Sequence, residues 1–550
     1  MKFNTGGLRS FTRSASKQET TFTMKKIILS TGAALFAMAV IAAPAPAAVV
    51  LASPFTSHMV LQREMKVPVW GTAEPGEQVS VSFAGQEKTA TAGADGSWRV
   101  DLDPLAVSAD GRSFAVRGSH TAGPLQLEDV LVGEVWLASG QSNMDFTVSK
   151  KVKFFAGAAN EEQEIAAANY PLIRMFTGAA SKAYEPQSRV GGTWRICSPE
   201  TVPAFSAVGY FFARDLQKEI GMPVGIVTLS FGASTAEAWI RRETMAGDPQ
   251  LKPMLDRFDA AVKNFREHPP VAVAPPRSED VSAPAPGGNP PDAGKAKGGR
   301  GKRGGGPRDP VQDQHNATVL FNGMINPVIP YAIRGAIWYQ GESIVGGAAG
   351  TTLYPYVQET LVRDWRRLWG EGDYPFYIVQ LAGQEASSNR PEVREAQATL
   401  LGRVPNAGMA VTTDIGEAKN VHPHNKQDVG DRLARIALAN VYGRRIEFSG
   451  PVYESMKVDG AAIRLSFSHL GGGLVAKGGG PLKWFEIAGP DGRFVPADAR
   501  IDGEAVVVTS PLVSAPAAAR YAWVNFPDGC NLFNAAGLPA AQFRTDSTVK

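Results

Sequence analysis

The chain has 550 residues, 44% of them hydrophobic, a formal net charge of +3 and two cysteines. That length exceeds what one hydrophobic core usually holds, so several domains are expected. The small charge, without aromatic residues interleaved among the basic ones, argues against nucleic acid as a partner and against a charged membrane surface.

Residues 1–23 are polar and read as an upstream extension ahead of Met24. From Met24 the chain runs Met-Lys-Lys, an apolar stretch from Ile27 to Ala43, and Ala45-Pro-Ala47 before Ala48. A basic start, an apolar stretch and small residues at a cleavage point are the marks of a secretory signal peptide over 24–48. Export, to a bacterial periplasm, is therefore expected. A membrane anchor is the weaker reading, because the stretch is short, alanine-rich and ends in a processing site. No stable membrane insertion is expected once the leader is cleaved.

Residues 49–129 hold short alternating segments such as Gln78–Phe83, Ser97–Leu102 and Ser113–Arg117, separated by Gly- and Pro-containing turns. They predict an antiparallel β-sandwich. Residues 130–443 alternate strands near 131–138, 225–230, 335–340, 376–382 and 409–413 with helices at 204–220, 354–368 and 392–403. This predicts an α/β domain with a parallel sheet flanked by helices. Within it, 268–312 is rich in Pro, Gly and Ala and is expected to be a disordered surface insertion. From 444 to 550 strands return, as at 462–467, 483–488, 505–509 and 520–526, predicting a second β module.

Two short runs carry the chemistry. The apolar segment Val132–Ala138 stops at Ser139-Gly140 and places Ser142 just past a strand's end, where ligands bind in open α/β sheets. A serine hydroxyl needs a base to take its proton. His422 is the candidate, in a loop before a segment with Val429, Leu433, Ile436 and Ala437 at helical spacing. His424 is its rival, better explained as a solvated residue near the helix start. Gly232 follows the strand over 225–230, and its alternative role is to supply positive φ in a turn. The pair His422 and His424 lacks the neighbours of a zinc site, so no metal and no cofactor is expected. Cys197 and Cys530 read as buried free thiols, with a long-range disulfide left open.

Gly140-Gln-Ser-Asn-Met144, Trp338-Tyr-Gln-Gly-Glu-Ser343 and His422-Pro with Lys426 resemble the motif set of the SGNH (GDSL-like) hydrolases. The nearest branch is the sialate O-acetylesterase-like group, which includes acetylxylan and xyloglucan acetylesterases. Met59–Arg63, Val69–Gly71, Phe205–Phe212, Glu237–Trp239, Asn322–Pro327, Gly537–Ala540 and Phe543–Asp546 resemble that branch too. The resemblance implies an SGNH-type fold, with Ser142 as nucleophile, His422 as general base, and Ser142, Gly232 and Gln340 as oxyanion-hole donors. The acid is less plain. An aspartate is common three residues before the histidine, but Lys419 stands there, with Asn420 next to it. Glu342 is the favoured acid, ahead of Asp414 and of Asp428, whose helix first-turn role is better supported. A Ser142–His422 dyad is the remaining option.

The implied activity is that of a serine O-acetylesterase acting on an acetylated carbohydrate through an acetyl-serine intermediate. Hemicellulose oligosaccharides such as xyloglucan or xylan, and sialic acid, are the substrates implied. The alternatives are a non-catalytic carbohydrate-binding protein with a degenerate triad, motivated by Lys419 and Asn420, and an esterase of another acyl specificity. Trp239, Trp338 and Tyr339 are candidates for stacking on sugar rings, although Trp338, inside a strand, reads as core.

Overall fold

The computed structural model describes residues 49–269, 308–345, 348–386 and 388–546, with only the backbone at 348 and 349. The upstream extension over 1–23, the leader over 24–48 and most of the predicted insertion lie outside the described residues. The end of that insertion does not behave as expected. Pro310 and Val311 are buried in a 3-10 turn, Pro310–Gln312, and Lys182 Nζ donates to Gln312 O at 2.7 Å. Among the described residues no helix is long and apolar enough to cross a membrane.

Strict alternation builds the first module. In Ser97–Leu102 the residues Trp98, Val100 and Leu102 point inward while their neighbours are exposed, as the two-residue period of a strand requires. This strand pairs antiparallel with Val67–Thr72, which also pairs with Val50–Leu51. Facing it, Gln78–Phe83 lies between Gln86–Thr91 and Ser108–Gly118.

The last of these pairs with β1, Leu125–Gly140, a strand of 16 residues. The expected boundary between 129 and 130 falls inside this strand. Its first half completes the sandwich and its second half is the centre of the α/β sheet, so no linker separates the two.

The α/β sheet adds β2 (Tyr170–Thr177), β3 (Trp194–Cys197), β4 (Val224–Ser230), β5 (Gly335–Tyr339), β6 (Phe376–Val379) and β7 (Ala407–Ala410). Their order is β3-β2-β4-β1-β5-β6-β7, all parallel except the antiparallel edge strand β3. The strands from β4 to β6 are buried along their whole length, hence their unbroken apolar runs.

Helices α1 (Ala207–Ile220) and α2 (Lys252–Glu267) come before β5; α3 (Ala348–Trp369), α4 (Arg390–Ala398) and α5 (Gln427–Asn440) come after it. α1 and α5 pack together on one face with Phe211, Val429, Leu433 and Ile436 in the core. On the other, Trp365 of α3 packs edge to face on Trp338, which packs edge to face on Trp239.

The chain leaves β1 for strands on one side and later returns to β5 on the other. The carboxyl ends of β4, β1 and β5 thus form the switch-point crevice of a doubly wound sheet. The C-terminal module places the sheet of Val452–Asp459, Ala462–Ser468, Ala505–Thr509 and Asp498–Asp502 against a second four-stranded sheet. Arg394 of α4 docks it: the guanidinium is fully buried and donates to Val524 O at 3.1 Å, Asn525 O at 2.8 Å and Gln542 Oε1 at 2.9 Å. Cys197 and Cys530 are buried free thiols, and burial raises their pKa to about 12 and about 11.

Candidate active site

β1 ends at Gly140, whose φ is +133° and where a Cβ would stand 2.2 Å from Tyr339 O. Only glycine fits so close to β5 in that conformation. The chain then turns tightly, with the N–H groups of Met144 and Asp145 both donating to Gln141 O at 2.9 Å. Ser206, which caps α1 by accepting from Gly209 N, donates its hydroxyl to Met144 O at 2.7 Å. The turn is thereby anchored to a helix, and Ser142 sits half-buried at its tip.

His422 Nε2 lies 2.8 Å from Ser142 Oγ. With Nε2 accepting the hydroxyl proton, Nδ1 carries the ring hydrogen. The Phe155 ring lies against the imidazole, centroids 4.8 Å apart. Burial, then the nearby charges of Lys426 and His424, push the imidazole pKa down to about 4. The ring is therefore neutral near pH 7 and ready to accept a proton.

The turn holding His422 is fixed by Glu417. This carboxylate accepts from His424 N at 2.7 Å and from Asn420 Nδ2 at 2.9 Å. Asn420 bridges to His422 itself, accepting from its N–H at 3.0 Å and donating to its carbonyl at 2.8 Å. His424 is exposed, with Nδ1 2.8 Å from Glu417, and takes no part at Ser142.

Gly232, after β4, lies beside the nucleophile, since a Cβ there would stand 3.9 Å from Ser142 Cβ. Its φ is not positive, so the turn explanation for this glycine fails; Ala233 takes the left-handed conformation instead, at φ 56°. Among the described residues neither Ser142 N–H nor Gly232 N–H donates a backbone hydrogen bond.

Gln340 and Glu342 both have protein partners in this fold. Gln340, expected as an oxyanion donor, is fully buried, with Nε2 donating to Ser234 O at 3.2 Å and Oε1 accepting from Tyr354 OH at 2.6 Å. Its amide supports the loop that carries Gly232. Glu342, expected behind the imidazole, instead accepts from Asn143 Nδ2, and among the described residues no hydrogen bond joins it to His422. Asn143 also donates to Val421 O at 3.0 Å and accepts from Lys426 Nζ at 2.7 Å. Burial raises the Glu342 pKa, and Glu342 Oε2 is a buried acceptor with no hydrogen-bond partner. Lys426 is also fully buried, its pKa lowered to about 7 by that burial against the opposing pull of Glu342.

The other acids are engaged elsewhere. Asp414 forms a bidentate pair with Arg432, both oxygens at 2.7 Å, and Asp428 bonds with Asn425 at the start of α5. Trp239, Trp338 and Tyr339 are all buried, which removes them as sugar-stacking surfaces. Among the described residues no group of three or more His, Cys, Asp or Glu is placed to hold a metal ion.

Asn143, Glu417 and Phe155 escape the sequence reading. Asn143 stands next to the nucleophile and Glu417 five residues before His422, but nothing in either position shows what the side chain holds.

Residues 314–439 match the family model "Carbohydrate esterase, sialic acid-specific acetylesterase". Sialate O-acetylesterase of Mus musculus is 28% identical over 461 residues, covering 74% of this chain and 76% of its own. That of Pongo abelii is 27% identical over 543 residues, covering 90% and 91%. A carbohydrate acetylesterase from Xanthomonas citri superposes with a TM-score of 0.74 at 34% identity, covering 91% of this chain and all of that one. A shared fold, ordered motifs along the chain and a serine within bonding distance of a neutral histidine lead to one assignment: the chain belongs to the sialate O-acetylesterase-like branch of the SGNH hydrolases and is a carboxylic ester hydrolase.

Proposed function

We propose that the protein removes O-acetyl groups from sugars through an acetyl-serine intermediate. The observation that carries this reading is the 2.8 Å contact between Ser142 Oγ and His422 Nε2, beside two backbone N–H groups at the ends of β1 and β4. Ser142 attacks the acetyl carbonyl as His422 takes its proton. The N–H groups of Ser142 and Gly232 receive the oxyanion, and the sugar hydroxyl leaves with the proton held on His422 Nε2. Water, deprotonated by the same imidazole, then releases acetate. Each oxyanion donor contributes on the order of 3 kcal/mol to the barrier difference.

Glu342 is the acid of this site, acting through Asn143 and the His422 turn rather than by touching the ring. Lys426 fills the same supporting role from the opposite side of Asn143. Acetylated hemicellulose oligosaccharides, from xyloglucan or xylan, and O-acetylated sialic acid are the substrate classes. Export directed by the Met24 leader fits an enzyme that meets such fragments outside the cytoplasm.

The test is acetate release from acetylated xylan, acetylated xyloglucan and O-acetyl sialic acid, with Ser142→Ala as control. Release that disappears in the variant supports the reading and names the substrate. Release that persists in Ser142→Ala rejects the mechanism. An esterase of longer acyl specificity would instead favour butyryl over acetyl esters of one chromogenic alcohol.

A further inference from the structure

The ring of Phe154 is 96% exposed, the most exposed large hydrophobic side chain among the described residues. A single exposed apolar residue is ordinary by itself; its position gives this one meaning. Phe154 packs edge to face on Phe155, centroids 5.5 Å apart, and Phe155 lies against the His422 imidazole. A path of rings therefore leads outward from the base.

The backbone around Phe154 is pinned on both sides. Lys153 forms an ion pair with Asp145, three residues after the nucleophile, and Ala156 N donates to Lys153 O at 2.9 Å. Gly157 N donates to Thr147 O at 3.2 Å, Ala158 N to Val148 O at 2.9 Å, and Ala159 N to His424 O at 2.9 Å. The loop thus belongs to the same rigid frame as Ser142 and His422, and it presents the Phe154 ring to solvent.

The mechanism fixes which part of the substrate lies on that side. The leaving alcohol is the group that takes the proton from His422 Nε2, so the sugar departs next to the imidazole and its neighbours in the chain extend past it. We infer that Phe154 forms a stacking subsite for a pyranose ring next to the acetylated residue, and hence that the enzyme acts on oligosaccharides rather than on a free acetylated monosaccharide. The apolar C–H face of a pyranose lies flat on an aromatic ring, and such stacking tolerates variation in the sugar. This inference rests on the proposed deacetylation. The three lysines of the loop and the exposed Val152 raise a membrane surface as the rival occupant, but two apolar side chains offer little area for lipid insertion.

The experiment compares wild type, Phe154→Ala and Phe154→Tyr as full-length proteins, on an acetylated xylo-oligosaccharide and on 4-nitrophenyl acetate. Phe154→Ala is expected to raise KM for the oligosaccharide about tenfold with little change in kcat, so that the kcat/KM ratio of oligosaccharide to 4-nitrophenyl acetate falls by the same factor. Phe154→Tyr restores the ratio. An unchanged ratio in Phe154→Ala overturns the subsite, as does a wild type that cleaves 4-nitrophenyl acetate through Ser142 yet releases no acetate from the oligosaccharide. Binding to phosphatidylserine vesicles that is lost in Phe154→Ala while KM stays constant overturns it in favour of lipid. Failure of the proposed function reads differently, as acetyl ester hydrolysis that persists in Ser142→Ala.

Discussion

Lowering the pH tests the catalytic base most directly. An isolated histidine has a pKa of 6.5, and in this fold burial, followed by the charges of Lys426 and His424, lowers that of His422 to about 4. The folded value is depressed, so the neutral, proton-accepting form persists as pH falls from 7 and is lost only as pH passes through about 4. At pH 5 the imidazole is then about nine-tenths neutral, whereas one with the ordinary pKa of 6.5 would be about 3% neutral. The assay is kcat/KM for 4-nitrophenyl acetate between pH 3.5 and 8, with acetate quantified directly because nitrophenolate is not formed in acid. Activity at pH 5 close to that at pH 7, with the acid limb near 4, is expected. Replacing Lys426 by Met removes one of the charges that hold the imidazole down and moves the limb upward. A limb near 6.5 with only a few per cent of activity left at pH 5 would refute the desolvated-base account.

The carboxylates separate by stability and turnover. Asp414→Asn breaks a buried pair with Arg432 and should cost about 3–5 kcal/mol in urea unfolding. Glu342→Gln should keep the fold and lower kcat; loss of turnover in Asp414→Asn alone, measured where both variants are folded, would reverse that assignment. Gln340→Leu removes the side-chain donor to Ser234 O, while Tyr354 OH keeps the carbonyl of residue 340 and Gln358 Nε2 as partners, so the melting temperature should fall in step with a loss of about 1–3 kcal/mol for the one orphaned carbonyl. Gly140→Ala places a Cβ 2.2 Å from Tyr339 O and should yield little folded protein, judged by circular dichroism and soluble yield. Cys197 and Cys530 should react with a thiol reagent only on unfolding, since burial keeps both protonated and out of reach.

Local pattern was enough wherever one period or one motif dominated. The alternation in Ser97–Leu102, the unbroken apolar strands β4 to β6 and the helical spacing from Val429 to Ala437 each reflect a single burial geometry, so the α/β sheet with β modules on either side is written in the chain itself. A strand end and a helix start, together with the motif resemblance, single out Ser142 and His422, and the fold sets them 2.8 Å apart. Tyr170–Thr177 and Trp194–Cys197 escaped detection: one carries a proline and an arginine among its apolar residues, the other has four residues, and only pairing with β4 and with each other makes them strands.

Tertiary packing decided the rest. Both ends of the Gln340 amide are taken by protein groups, its Nε2 by Ser234 O across 106 positions and its Oε1 by Tyr354 OH from α3, a turn of packing that local sequence does not announce. Glu342 meets Asn143 across 199 positions, and Lys426 meets it across 283. A sequence names the groups that hydrogen-bond, but a buried polar group takes whichever partner the fold brings within 3 Å or so, since leaving it unpaired costs more than any local preference can offset. Exposure follows the same rule: Trp239 and Trp338 lie under α3 while Phe154 stands in solvent, because helix packing covers the tryptophans and no described residue covers the Phe154 ring.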